Sequence, residues 1–197
     1  MKKAITHLKR CDPVMAAIIE RIGPCRIPYT EPVFESLARA IVYQQLSGKA
    51  AATIFGRFVA AAGGEPLTPK KVLRLTFDET RALGLSSQKA TYVRDLAEKT
   101  ASKDIVFDRF ETMTNDEITA SLIQVKGIGV WTVQMFLMFS LRRPDVLPCG
   151  DLGIRNAVQK AYGLKEPVSP AQIEKIGANW RPYCSIASWY LWRSLEP

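Results

Sequence analysis

The sequence predicts an all-helical fold, and three observations lead there. Strict alternation of apolar and polar residues, the mark of a half-buried strand, is scarce. Helix start and stop signals recur along the whole chain. Between them, apolar residues group at three- and four-residue spacings. At 197 residues, the chain suits one domain, or two small ones sharing a core.

Asp12-Pro13 reads as an N-cap and first helical position, and Val14, Ile18, Ile19 and Ile22 form a stripe that Gly23-Pro24 ends. Arg26 to Tyr29 is a loop. Pro32 opens a helix through Phe34, Leu37, Ala38, Ile41 and Val42, which Tyr43-Gln44-Gln45-Leu46-Ser47-Gly48 interrupts. Lys49 to Ala62 is the next, ended by Gly63-Gly64. Thr68-Pro69 and Thr76-Phe77-Asp78 each look like short helix starts. Ser86 to Ala101 is longer, with Ala90, Val93, Leu96 and Ala97 facing inward. Thr114 and Glu117 match a capping box ahead of a helix through Asn115 to Ile123. Val130 to Leu141 is apolar on most sides, so it is a buried helix, and it is too short to span a bilayer. Asp151 to Tyr162 follows, with Gly163 past its end. Ser169-Pro170 opens the last helical region, which Pro182 splits before Leu195. There is no repeat at a fixed period and no low-complexity linker.

Hydrophobic content is 47%, and 27 Lys+Arg against 19 Asp+Glu give a net charge of +8, which favours a polyanionic partner. Cys11, Cys25, Cys149 and Cys184 contain no C-x-x-C, and His7 is the single histidine, so structural zinc is not expected. These are reduced, mostly buried thiols of an intracellular protein. The start, Met1 to His7, has no long apolar run behind it and is no secretory signal. No stretch qualifies as transmembrane.

The stretch that organises the rest is Val125 to Asp151. Gly127-Ile128-Gly129 between two helical patterns allows positive φ and a close backbone approach. The second helix presents its free N–H groups just past the glycines, so a phosphate could sit there, held also by the Thr132 hydroxyl. Pro144 and Pro148 then break the chain, and Gly150-Asp151 starts the next helix. Asp151 reads as an N-cap, as a carboxylate held rigidly for chemistry, or as both. Asp145, beside Arg142, Arg143 and Pro144, reads as a solvated loop charge.

The hairpin Val125-Lys126-Gly127-Ile128-Gly129-Val130-Trp131-Thr132, the Leu147-Pro148 lead-in and the spacing to Asp151 resemble the helix-hairpin-helix DNA glycosylases. Within them they resemble the 3-methyladenine DNA glycosylase II branch. The similarity runs from about Arg26 to Trp192. Lys126 stands where the family usually has proline, and adds a cation near the expected phosphate.

The resemblance implies two helical subdomains with the active site in the cleft between them. One is about 1–30 plus 145–197; the other is about 31–144 and contains the hairpin, 115–141. It implies that Asp151 is the catalytic carboxylate. It places Trp131 in the base pocket, where relatives that also cleave the strand carry a lysine, so the chain is expected to be monofunctional. Trp192 matches an aromatic that flanks the flipped base, with Tyr29 or Tyr43 near; core packing is the other reading of both tryptophans. Tyr43 to Ser47 matches the turn that fills the gap left by the flipped nucleotide. Gln45 aligns with the intercalating position and Leu46 is its neighbour; Gln44 and Ser47 flank them. A buried polar turn is the alternative. The resemblance also implies a Na+ or K+ ion on the carbonyls of Ile123, Val125 and Ile128, with no required cofactor. The four-cysteine iron–sulfur loop of some relatives is not matched.

The expected function is release of alkylated purines such as 3-methyladenine and 7-methylguanine from double-stranded DNA, by a monomer, in base excision repair. The compartment would be the cytoplasm (nucleoid) in a bacterium or archaeon, or the nucleus in a eukaryote. A non-catalytic DNA-binding or damage-sensing hairpin module is the alternative. A helical interaction scaffold would leave Gly-Ile-Gly and the charge unexplained.

Overall fold

The computed structural model describes residues 1–196, and every regular element among them is a helix. The chain divides into two compact units, residues 1–29 with the chain from 137 onward, and Thr30–Phe136. The second crossing thus falls within a helix, where the sequence reading sets it at 144/145, in the loop of Pro144.

The first unit opens with α1 (Lys2–Cys11), which the sequence reading leaves unassigned. Its signal is weak because only Ala4 and Leu8 are fully covered and no side chain caps its start. Next comes α2 (Pro13–Ile22), capped as expected by Asp12. From the C-terminal part come α10 (Leu152–Ala161), α11 (Pro170–Gly177) and α12 (Cys184–Arg193). α1 packs on α2, α2 on α12, and α10 on both α11 and α12. Trp180 and Tyr190 are the largest fully buried side chains of this core.

Asp12 does more than cap. Its Oδ1 accepts from the N–H groups of Val14 (2.9 Å) and Met15 (3.1 Å). Its Oδ2 accepts from Trp180 Nε1 (2.8 Å) and from the Tyr162 hydroxyl. One buried carboxylate therefore joins α2, α10 and the turn after α11. Asp145, read as a solvated loop charge, is instead anchored: it accepts from Arg181 (2.9 Å) and from the Cys184 N–H (3.3 Å). Burial raises its pKa, but the bonds from Cys184 and Arg181 outweigh that and hold it below the ordinary value. The sequence places only Arg142 and Arg143 beside it; Arg181 arrives through the fold.

The second unit holds α3 (Phe34–Tyr43), α4 (Gly48–Ala61), α5 (Pro69–Arg74), α6 (Phe77–Ala82), α7 (Ser87–Ala101) and α8 (Asn115–Leu122). α7 is its centre, packed by α3, α5 and α6, with Ala90, Val93, Leu96 and Ala97 buried as expected. α3 begins at Phe34 rather than Pro32 because Val33 is still extended. The capping box of Thr114 and Glu117 is present, and a second one, Thr76 with Glu79, starts α6. Val130–Phe139 is α9, which carries the chain from this unit into the first. It stops short of Leu141. Phe107, Phe110 and Phe136 meet edge to face, with centroids 5.4–6.3 Å apart. No helix among the described residues is long and apolar enough to cross a membrane.

Candidate active site

In the first unit the fold gathers a carboxylate and an indole. Asp151 caps α10, and its Oδ1 accepts from the Ile154 N–H at 2.8 Å. The same oxygen accepts from Trp192 Nε1, also at 2.8 Å. The first bond is local, since Asp151 stands just before α10; the second is made by packing, since Trp192 lies in the last turn of α12, which packs on α10. Gly153 makes room for the pair. A Cβ there would lie 2.9 Å from Trp192 Cδ1 and 3.0 Å from Asp151 Oδ1. With Oδ1 fixed by two donors, the carboxylate is held in one orientation.

Trp192 also lines a cavity of about 620 Å³ with Phe139, Trp189, Pro24, Arg26 and Arg193. Phe139 and Trp192 sit with centroids 6.0 Å apart at 31°. Tyr29 is exposed, and the Arg142 guanidinium lies 5.2 Å from its ring. Phe139, Gly153 and Arg26 are site neighbours that the sequence reading does not single out. Phe139 looked like one more apolar residue of a buried helix.

The remaining expected residues lie in the second unit. Gly127 has φ +80, and a Cβ on it would fall 2.0 Å from Tyr92 Cδ2. Only glycine fits there, on two counts. Gly129 differs from expectation: its φ is not positive and a Cβ would meet nothing within 4 Å. No neighbour in the protein demands glycine at 129. Lys126 donates its N–H to Asp95 Oδ2 (2.9 Å), and the Gly127 carbonyl accepts from Gln44 Nε2 (2.9 Å).

At the start of α9, Val130 (54% exposed) and Trp131 (50% exposed) face outward. Trp131 is therefore not a core tryptophan. Thr132 corrects the phosphate expectation: it is 6% exposed, because the third position of the turn points inward, so its hydroxyl has little access to a phosphate. In the turn after α3, Gln45 takes φ +56, and Gln45, Leu46 and Ser47 are exposed while Gln44 is half-buried. The buried-turn alternative does not hold. Tyr43 packs edge-on to Phe55, with Arg39 4.5 Å from its ring centroid.

Residues 38–182 match the family described as HhH-GPD superfamily base excision DNA repair protein. The chain belongs to that superfamily. Among superfamily relatives, DNA-3-methyladenine glycosylase 1 of Schizosaccharomyces pombe is 35% identical, over 98% of this chain and 87% of its own. Two solved structures are similar over most of their length. One is 3-methyladenine DNA glycosylase (Mag1) of S. pombe in complex with abasic DNA: TM-score 0.84, 36% identity, 98% of this chain and 96% of that one. The other is a DNA-3-methyladenine glycosidase of Bacillus halodurans: TM-score 0.89, 34% identity, 97% of this chain and 88% of that one. The all-helical HhH-GPD fold expected from the sequence is thus the fold of this superfamily member.

The two hairpin glycines predict opposite outcomes for alanine. Gly127→Ala is expected to destabilise the HhH-GPD protein by about 3 kcal/mol, since the Cβ overlaps the Tyr92 ring and the backbone is left-handed. Gly129→Ala is expected to change stability by less than about 0.5 kcal/mol. It should still weaken binding to damaged and undamaged duplex alike, because phosphate contacts position rather than specify. Urea melts and filter binding of both variants check this. Full-strength binding by Gly129→Ala would remove the backbone–phosphate approach at 129.

Proposed function

We propose that this protein is a monofunctional DNA glycosylase that flips alkylated purines out of duplex DNA and hydrolyses their N-glycosidic bond. The observation that carries this is the Asp151 carboxylate, fixed by Ile154 N–H and Trp192 Nε1 at the start of α10. As the bond between sugar C1′ and the purine nitrogen breaks, the electron pair leaves with the base and positive charge grows on the sugar. A preorganised anion stabilises that charge. An N-alkylated purine is already cationic and departs as a neutral base, so no second carboxyl is needed as acid. Water then adds to C1′ and gives up a proton.

Aromatic faces favour cations, by about 2 kcal/mol when desolvated, so Trp192, beside Asp151, selects for 3-methyladenine and 7-methylguanine over neutral purines. Trp131 cannot form a Schiff base, which leaves hydrolysis without strand cleavage. The hairpin at Lys126, Gly127 and Gly129 holds a backbone phosphate, and Gln45 or Leu46 fills the gap left by the flipped nucleotide.

No cofactor is required. A Na+ or K+ ion on the Ile123, Val125 and Ile128 carbonyls is part of the proposal. Neutral carbonyl oxygens are hard donors, and Ile123 stands at the negative end of the α8 dipole. The Val125 carbonyl accepts from the Ile128 N–H (3.1 Å) and keeps a second lone pair. The protein acts as a monomer inside the cell, on nucleoid or nuclear DNA.

The test is release of free base from duplexes carrying 7-methylguanine, 3-methyladenine, hypoxanthine or uracil at one position, corrected for spontaneous loss. The cationic bases should leave fastest, and borohydride should trap no covalent adduct. Faster release of uracil, or a trapped adduct, would overturn the assignment. Specific binding to damaged duplex with no release would leave a damage sensor instead.

A further inference from the structure

Three residues one turn apart on α7, Lys89, Tyr92 and Asp95, face the two segments assigned to DNA. Lys89 Nζ donates to the carbonyls of Val42 (2.8 Å) and Gln44 (2.6 Å), the residues that lead into the intercalating turn. Tyr92 lies against Gly127, and Asp95 accepts the Lys126 N–H. The circuit closes through Gln44, whose carbonyl takes Lys89 and whose amide donates to the Gly127 carbonyl. The turn needs such a hold. Gln45 at its tip adopts a left-handed backbone that a residue with a side chain resists, and the turn's own closing bond, Leu46 N–H to the Tyr43 carbonyl, is long at 3.3 Å. Two charge-assisted bonds from a partly buried ammonium supply it. Burial lowers the Lys89 pKa.

We infer that Lys89 is a positioning residue for base extrusion: it locks the Gln44–Gln45–Leu46 turn and, through Gln44, couples that turn to the phosphate-holding hairpin. The inference rests on the proposed roles of turn and hairpin. With the coupling intact, a hairpin seated on its phosphate presents the turn in insertion geometry. Without it, the hairpin still grips DNA but the turn is not held ready.

The experiment uses duplex DNA with 2-aminopurine next to a single 2′-fluorinated 7-methylguanine, which resists hydrolysis, so that the fluorescence rise reports extrusion. Single-turnover release is measured on the unmodified lesion, and binding on undamaged duplex. Lys89→Met should cut the fluorescence rise and the release rate by about tenfold while undamaged binding stays within about twofold. Lys89→Arg, which keeps the charged donors, should recover much of both. Gln44→Leu, which removes the bond to the Gly127 carbonyl but keeps the residue-44 carbonyl on Lys89, should lower extrusion and release too, and the double variant should fall by less than the two single losses combined, because both break the same linkage. If Lys89→Met unfolds, Gln44→Leu tested alone carries the same expectation.

Lys89→Met with wild-type extrusion, or a loss in undamaged binding equal to the loss in extrusion, overturns the inference; the latter would make Lys89 a phosphate contact. Additive losses in the double variant overturn the coupling. Wild-type protein that neither extrudes nor releases the lesion overturns the proposed function beneath it, an outcome visible before any variant is read.

Discussion

Asp151→Asn is expected to lower single-turnover release of 7-methylguanine by about 10²–10³-fold, the loss typical when one preorganised charge-stabilising group is removed. The substitution isolates charge from shape. Asparagine is as good an N-cap as aspartate, so its side-chain oxygen can still accept from the Ile154 N–H and from Trp192 Nε1. The fold and the orientation of the indole should persist, and the variant should melt within a few degrees of the parent. Binding to a duplex with an abasic-site analogue should stay within a fewfold, since the contacts assigned to phosphate lie on other residues. Release rate, melting temperature and abasic-site affinity together check this. Unchanged release would overturn the catalytic assignment. Asp145 would not inherit it, because its charge is already paired with the Arg181 guanidinium at 2.9 Å.

The largest stability loss is expected at Asp12. Asp12→Ala should cost about 3–7 kcal/mol: about 1 for the cap, and about 1–3 for each donor left without an acceptor. Two such donors are at stake, Trp180 Nε1 and the Tyr162 hydroxyl. Trp180 is fully buried and cannot turn to water. The Tyr162 hydroxyl, its pKa raised by burial and by the neighbouring carboxylate, remains a donor throughout the physiological range. Urea denaturation of Asp12→Ala beside Ser169→Ala, an ordinary exposed cap, provides the comparison. Equal losses would mean the carboxylate contributes only its cap.

Asp12 also shows how far a sequence reaches. Its role at the start of α2 was legible from Asp-Pro followed by an apolar stripe, because capping is settled by the few residues around it. Its bonds to Tyr162 and Trp180 were not, because those partners stand more than a hundred residues away. The same division runs through the candidate site. The hairpin and the position of Asp151 were visible as spacing; the turn from Tyr43 to Ser47 was singled out by the family resemblance. That the Asp151 oxygen is shared with Trp192, that Gly153 must lack a side chain to allow it, and that Lys89 holds the Gln44 turn are contacts across elements.

Gly127 and Gly129 mark the limit most clearly. They look equivalent in the sequence, yet only Gly127 has positive φ and a ring where its Cβ would be. Thr132 and Asp145 mark it too, one turned inward by the helix and the other met by a distant arginine. By itself the sequence determined the helical class, the capped starts and the superfamily motif, since each depends on periodicity or on residues a few positions apart. The tertiary structure decided which polar groups meet, because hydrogen bonds between elements depend on distances that chain order does not contain.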